Sequence, residues 1–280
     1  PQRKIAQLEA RGVEFMGSTR LGTDITVEGL LAEGCNAVYL GNGAGVGATL
    51  NIPGEHLNNV HQATEFLVRA NVAVQDRPQR LSNPATIGAH TIVVGGGDTA
   101  MDCVRSAVRL VHQQRNGDGS VTCLYRRSED EMPGREEERR HAFEEGVKFS
   151  YLTAPVRFLG DERGYVVAVE CVTMDLWEPD ASGRRRPVAI KGSEYLWSAD
   201  TVVLAVGYWG DEDFAGSIHG IDHTRGIYVV DPRTGMTNVS GVFAGGDNVS
   251  GADLVVTAIA DGRRAAHGIL RYLASQTTAG

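Results

Sequence analysis

The sequence predicts an α/β fold in which one strand–helix–strand domain interrupts another. Three observations carry that reading. Glycine supplies 35 of 280 residues, well above its usual share of roughly 7%, and it gathers at tight turns behind apolar runs. The short apolar run His90–Val94 leads through Gly95–Gly97 into Thr99–Gln114, where Ala100, Cys103, Val104, Ala107, Val108 and Val111 recur at helical spacing. A second continuous apolar run, Thr201–Val206, follows a stretch of alternating polarity over 155–197. An antiparallel excursion rejoining a buried parallel sheet reads this way.

Taken in order, residues 3–11 form a helix and Val13–Met16 a short strand. Thr26–Ala32 is a short helix capped from Asp24 or Thr26. Ala37–Leu40 is a buried strand running into Gly41-Asn42-Gly43. Ile52–Glu55 is a turn, 62–71 an amphipathic helix, and Gln75–Ala89 a polar, Pro-containing surface linker. After the central strand and helix come strand Ser120–Tyr125, charged helix Glu136–Glu145 and strand Val147–Tyr151. The excursion over 155–197 holds two or three strands with a turn at Asp180–Gly183. Gly226–Val230 and Gly241–Ala244 are short strands, and Asp253–Leu273 is a long closing helix.

Composition narrows the function. A net charge of −8 argues against nucleic acid or an anionic membrane as partner, since both demand a basic surface. Cys35, Cys103, Cys123 and Cys171 are widely spaced with no C-x-x-C, so no metal site, iron–sulfur cluster or redox dithiol is expected in this chain. Isolated thiols within apolar runs suit a reducing cytoplasm. No apolar run approaches the roughly 18 residues of a membrane span. The chain opens on Pro1 inside a helical pattern, which reads as a fragment of a longer protein.

Gly95, Gly96, Gly97, Asp98, Thr99 and Ala100 match G-x-G-x-x-A between an apolar strand and an amphipathic helix. That context makes them a candidate dinucleotide-binding turn. Gly95 allows the tight turn, Gly97 lets a pyrophosphate approach the backbone, and Ala100 lets helix and strand pack closely. The diphosphate then meets the positive helix end. The second strand ends in Tyr125-Arg126-Arg127 rather than in the carboxylate that would accept from an NAD ribose. Arg126 and Arg127 instead suit a 2′-phosphate, and hence NADP(H). The plainer alternative leaves both arginines solvated, or pairs them with Glu129 and Asp130. The run Arg135–Arg140 reads as a solvated helix face with i,i+4 pairs. No nucleophile–base arrangement stands out, so no catalytic side chain is assigned; cofactors would carry the chemistry. Asp247, closing the strand Gly241–Ala244 through Gly245 and Gly246, can accept from sugar-like hydroxyls or merely cap a turn.

Phe243–Asp247 with Asp253–Gly262 resembles the second flavin motif of flavoproteins with two dinucleotide-binding domains. Together with Gly95–Asp102, Tyr125-Arg126-Arg127 and Asp130–Pro133, it resembles the glutamate synthase small (beta) subunit group of FAD-dependent pyridine nucleotide oxidoreductases. The resemblance runs from about Pro1 to Leu273. It implies a Rossmann-like NAD(P)-binding domain at 81–224, inserted in a partial FAD-binding α/β domain formed by 1–80 and 225–280. It further implies that Gly246 and Asp247 bind FAD, that Leu254–Thr257 pack at the flavin, and that Gly41-Asn42-Gly43 and Ala205-Val206-Gly207 are the two crossings between domains. Function by resemblance is hydride transfer from NADPH to FAD, with electrons leaving through iron–sulfur clusters to a larger amidotransferase or synthase subunit. A ferredoxin–NADP oxidoreductase-type subunit and an NADP(H)-binding regulatory or scaffold module are the alternatives. The family's first G-x-G-x-x-G and its cluster cysteines would precede Pro1, so weak FAD retention is expected of this chain.

Overall fold

The computed structural model describes residues 2–180 and 183–277. It forms two compact units, one within Pro1–Val46 and Tyr208–Gly280, the other Gly47–Gly207. The chain therefore passes between units at 46/47 and 207/208, not at the 80/81 and 224/225 read from the sequence. The cause is a strand the sequence conceals. Val60–Gln62 pairs in parallel with Thr201–Leu204, and the helix Ala63–Asn71 behind it sends Phe66, 1% exposed, into the core of the inserted unit. Three residues are too few to show a period.

The inserted unit is built on a five-stranded parallel sheet ordered Val60–Gln62, Thr201–Leu204, His90–Val94, Ser120–Leu124, Lys148–Ser150. Alternation along His90–Val94 decides what covers each face. Val93 joins Ala100, Val104, Ala107 and Phe66 under the helices, while Ile92 and Val94 meet Phe158, Val166, Val169 and Cys171 of the excursion. The excursion has four strands rather than two or three: Thr153–Gly160, Val166–Pro179, Arg185–Ala189 and Tyr195–Ser198. Its expected turn at Asp180–Gly183 includes Ala181 and Ser182, which lie outside the described residues; Gly183 donates to the Asp180 carbonyl at 2.9 Å. The segment expected as a surface linker, 75–89, buries Leu81, Ala85 and Ile87. It closes the core through two short 3₁₀ turns.

The other unit pairs Val38–Leu40 with Val242–Ala244 in parallel. Val27, Ile218, Ile221 and Tyr228 pack on that pair. The helix Val27–Ala32 is capped by Thr26, whose hydroxyl accepts from Gly29 N at 2.9 Å; Asp24 instead accepts from Arg20 N. Val13–Met16 is not a strand. Phe15 and Met16 stand exposed and the segment finds no sheet partner among the described residues. The closing helix runs Val255–Thr277.

Candidate functional site

In the inserted unit the sheet order places Thr201–Leu204 on one side of His90–Val94 and Ser120–Leu124 on the other. Chain direction along the sheet reverses there. Ligands of open α/β sheets bind outside the carboxyl ends of strands at such a switch point. Two glycine-bearing turns leave the sheet at that place. Gly95 has φ +150°, and a Cβ on it would lie 2.2 Å from the Ala205 carbonyl oxygen; the two turns abut too closely for a side chain. Gly96 is closed off by the Tyr125 ring. Gly97 differs from both. Its φ is −90°, open to any residue, and a Cβ there would meet nothing within 4 Å.

Gly97 is the N-cap of the helix Asp98–Arg115 and provides no side-chain cap. The first-turn N–H groups of such a helix have no intrahelical acceptor. Thr99 is half-buried beside them, and its hydroxyl makes no hydrogen bond among the described residues. Ala100, fully buried, lets the helix lie against the sheet. Asp98 is held by Arg135, which donates its backbone N–H at 2.9 Å and its Nε at 3.1 Å to the carboxylate. Gly134 N donates to the Gly96 carbonyl at 2.9 Å. The loop after Met132 is thereby pinned along the glycine turn. No sequence pattern announced this loop contact; it joins residues 37 apart.

The two arginines beyond Ser120–Leu124 do not act as a pair. Backbone pairing continues past the strand, since Thr153 N donates to Tyr125 O and Leu152 N to Arg127 O, each at 3.0 Å. Alternation then turns Arg126 outward and Arg127 inward. Arg127 is 4% exposed and donates to the Arg185 carbonyl at 2.7 Å and to the Asp180 carboxylate. Its partner is thus neither Glu129 nor Asp130. Arg126 is exposed and makes no hydrogen bond or ion pair among the described residues. Lost hydration, then the charges of Arg127 and Arg184, lower its pKa. The acidic–basic helix Glu136–Glu144 is more than a solvated face. Arg105, from the helix after the glycine turn, binds Glu138 at 2.7 Å and Glu145 at 2.8 Å.

In the other unit, Val242–Ala244 ends in Gly245-Gly246-Asp247. Gly246 has φ +86°, and its carbonyl caps the short helix Asp247–Ser250 by accepting from Val249 N and Ser250 N. The Asp247 carboxylate takes no part in that cap and makes no hydrogen bond among the described residues. The sequence did not single out Asp261 as a site residue, yet it sets this turn. Buried to 4% exposure, it accepts from Gly246 N at 3.1 Å, Ser250 Oγ at 3.2 Å and Arg264. Asn248, wholly buried, donates to Leu40 O at 2.9 Å and Asn42 Oδ1 at 2.8 Å, while its own Oδ1 is unpaired. Leu254 starts the closing helix by accepting from Thr257 N and Ala258 N. Leu254 and Val256 are more than three-fifths exposed, an apolar surface beside a helix start. Gly207, φ +112°, is exposed with open space where its Cβ would be.

All four thiols are free. Among the described residues no His, Cys, Asp and Glu cluster could hold a metal ion, and no helix is long and apolar enough to cross a membrane.

Glycine turn, switch point and open helix start define a dinucleotide-binding α/β protein carrying a second glycine–aspartate turn in a separate unit. The family model for pyridine nucleotide-disulphide oxidoreductases matches residues 17–262, and the chain belongs to that family. It is 40% identical over 97% of its length to a glutamate synthase [NADPH] small chain of Halomonas elongata, and 40% identical over 99% to that of Azospirillum brasilense. It spans 57% of each relative, little more than half their length. Among solved structures, Mycobacterium tuberculosis FprA in complex with NADPH aligns with a TM-score of 0.78 at 19% identity, covering 98% of this chain and 72% of that one. That likeness shows the expected α/β fold.

Proposed function

We propose that this chain is the nucleotide- and flavin-binding part of an NADPH-dependent oxidoreductase that delivers electrons to a partner protein, as the glutamate synthase small chains it resembles would. Gly97 is the observation that carries the reading. Neither its φ nor its surroundings require glycine, whereas a diphosphate approaching the backbone does. The unbonded Thr99 hydroxyl and the first-turn N–H groups supply donors at the same place, and the helix dipole favours the anion. Asp98 would repel it, so the Arg135 clamp on that carboxylate matters electrostatically as well as structurally. Arg126 supplies a cation for a 2′-phosphate.

A flavin fits the residues present in the other unit. Asp247 keeps a free carboxylate for ribityl or ribose hydroxyls, the buried Asn248 Oδ1 lacks a partner, and the Leu254–Thr257 segment offers apolar surface beside helix N–H groups. Gly246, Asp247, Leu254 and Thr257 would hold it. When bound, the flavin supplies a hydride acceptor able to pass electrons on singly. The receiving partner, on this reading, is an iron–sulfur-bearing or amidotransferase-type subunit.

Fluorescence titration of the full chain with NADPH, NADH and FAD tests the proposal. NADPH is expected to bind at least about tenfold tighter than NADH, one charge-assisted phosphate contact being enough for that ratio. Asp247→Ala should weaken FAD while leaving NADPH untouched. Equal affinity for both nicotinamides, or FAD binding indifferent to Asp247→Ala, would remove the corresponding half of the reading.

A further inference from the structure

The parallel strands Val38–Leu40 and Val242–Ala244 end side by side, so the turns that leave them start together at the carboxyl end of the pair. One turn is Gly41-Asn42-Gly43, where Asn42 is exposed and Gly43 has φ +70°. No backbone N–H over 41–45 finds an acceptor among the described residues, and Gly41, Gly43 and Gly45 give that stretch little stiffness of its own. The other turn is Gly245-Gly246-Asp247, gripped from the closing helix by Asp261. A single side chain joins the two. Asn248, wholly buried, donates Nδ2 to the Leu40 carbonyl at 2.9 Å and to Asn42 Oδ1, out on the glycine loop, at 2.8 Å. The Leu40 oxygen can only accept, so the Asn248 nitrogen must face it, and the Asn42 oxygen must face that nitrogen. Both amides are thereby oriented. Asn248 Oδ1 is left buried with no donor among the described residues, a cost that an apolar side chain would avoid. The Leu40 carbonyl also accepts from Gly245 N at 3.4 Å, so the bridge is not needed to pair it. Fold stability alone gives little reason for an amide here.

We propose that Asn42 and Asn248 are positioning residues for the flavin: their bridge holds the glycine loop against the glycine–aspartate turn and so sets where Asp247 presents its carboxylate. The inference rests on the flavin reading above and adds to it two side chains that act through the turn. Asn248 follows Asp247 directly, so anchoring one fixes the backbone that carries the other. A loop ordered before binding spares the ligand the entropy of ordering it.

Titration of the full chain with FAD, read by flavin fluorescence and by visible circular dichroism at saturation, tests this. Asn42→Ala removes the exposed end of the bridge. It is expected to weaken FAD about fivefold, the worth of one neutral hydrogen bond, with NADPH affinity within about twofold and the melting temperature unchanged. The dichroism of the bound flavin should change as well, which a bridge serving the fold alone would not cause. Asn248→Leu should weaken FAD at least as much. Both substitutions together should cost no more than Asn248→Leu alone, because each breaks the same bridge. If Asp247→Ala weakens FAD while Asn42→Ala keeps wild-type affinity and dichroism, this inference is overturned and the flavin reading stands. Additive losses in the double variant, or a loss of FAD in Asn42→Ala matched by a lower melting temperature, would overturn it too. If wild type binds no FAD, the flavin reading itself fails and takes the inference with it.

Discussion

Two glycines of one turn illustrate how differently the same residue type can be required. At Gly95 the positive φ and the Ala205 carbonyl 2.2 Å from a would-be Cβ are demands of the fold. At Gly97 the fold makes no demand. Gly97→Ala should therefore melt near the wild-type temperature, because the gain of about 0.4–1 kcal/mol from narrowing the unfolded ensemble is offset by the preference for glycine over alanine at a helix N-cap, yet lose about tenfold or more in NADPH affinity. Gly95→Ala should lower the melting temperature itself. Paired melts and titrations check both; a Gly97→Ala protein that binds NADPH normally would leave that glycine without a reason. The sequence marked both residues through the G-x-G-x-x-A spacing. It also offered Arg126 and Arg127 as equals, because a dipeptide does not say which side chain faces in. Buried Asp261 was not legible as a site residue, since its partners lie 11 and 15 positions away.

At the scale of elements, the parallel sheet depends on a bracket at its amino-terminal edge. The Asp200 carboxylate accepts from Ala89 N at 2.8 Å and from His90 N at 3.1 Å, and Thr201 Oγ1 accepts from Gly88 N at 3.0 Å. This joins the entries of the two strands whose far ends carry the glycine turns. Asp200→Ala leaves partly buried N–H groups without acceptors and should cost about 2 kcal/mol, a drop of roughly 4–8 °C in melting temperature for a unit of this size. A shift under a degree would show that the bracket is dispensable. Long periodic helices and continuous apolar strands were legible from pattern alone. Val60–Gln62 and the fourth excursion strand were not, because short strands take their identity from neighbours distant in sequence. Val13–Met16 has strand-like composition and no partner to pair with among the described residues.

Across the whole molecule, burial sets the response to alkali. Desolvation pushes the Cys123 and Cys171 thiols from 9.0 up to about 12, and the Tyr151 and Tyr228 phenols from 10.0 up to about 12. In the unfolded chain these groups release protons from about pH 9 upward, while the folded protein retains them until near pH 12. The folded state then binds more protons than the unfolded one, so stability falls as pH rises through that window. Urea melts should give an unfolding free energy that decreases steadily from about pH 9 to about pH 11.5, with only the early ionisation of the two thiols acting between about pH 7 and 8.5. Stability that rose over the alkaline range would contradict the burial of these side chains. Three of them lie in the inserted unit and Tyr228 in the other, so both units are expected to respond.

The sequence by itself determined the α/β class, the glycine turn between strand and helix, and the acid that closes the second glycine turn, because each is a local pattern of spacing, period and backbone freedom. Tertiary structure decided where one unit ends and the other begins, which arginine faces outward, and which one a distant hairpin holds. Those outcomes depend on partners that meet only once the sheet has formed, and no local stretch of chain encodes them.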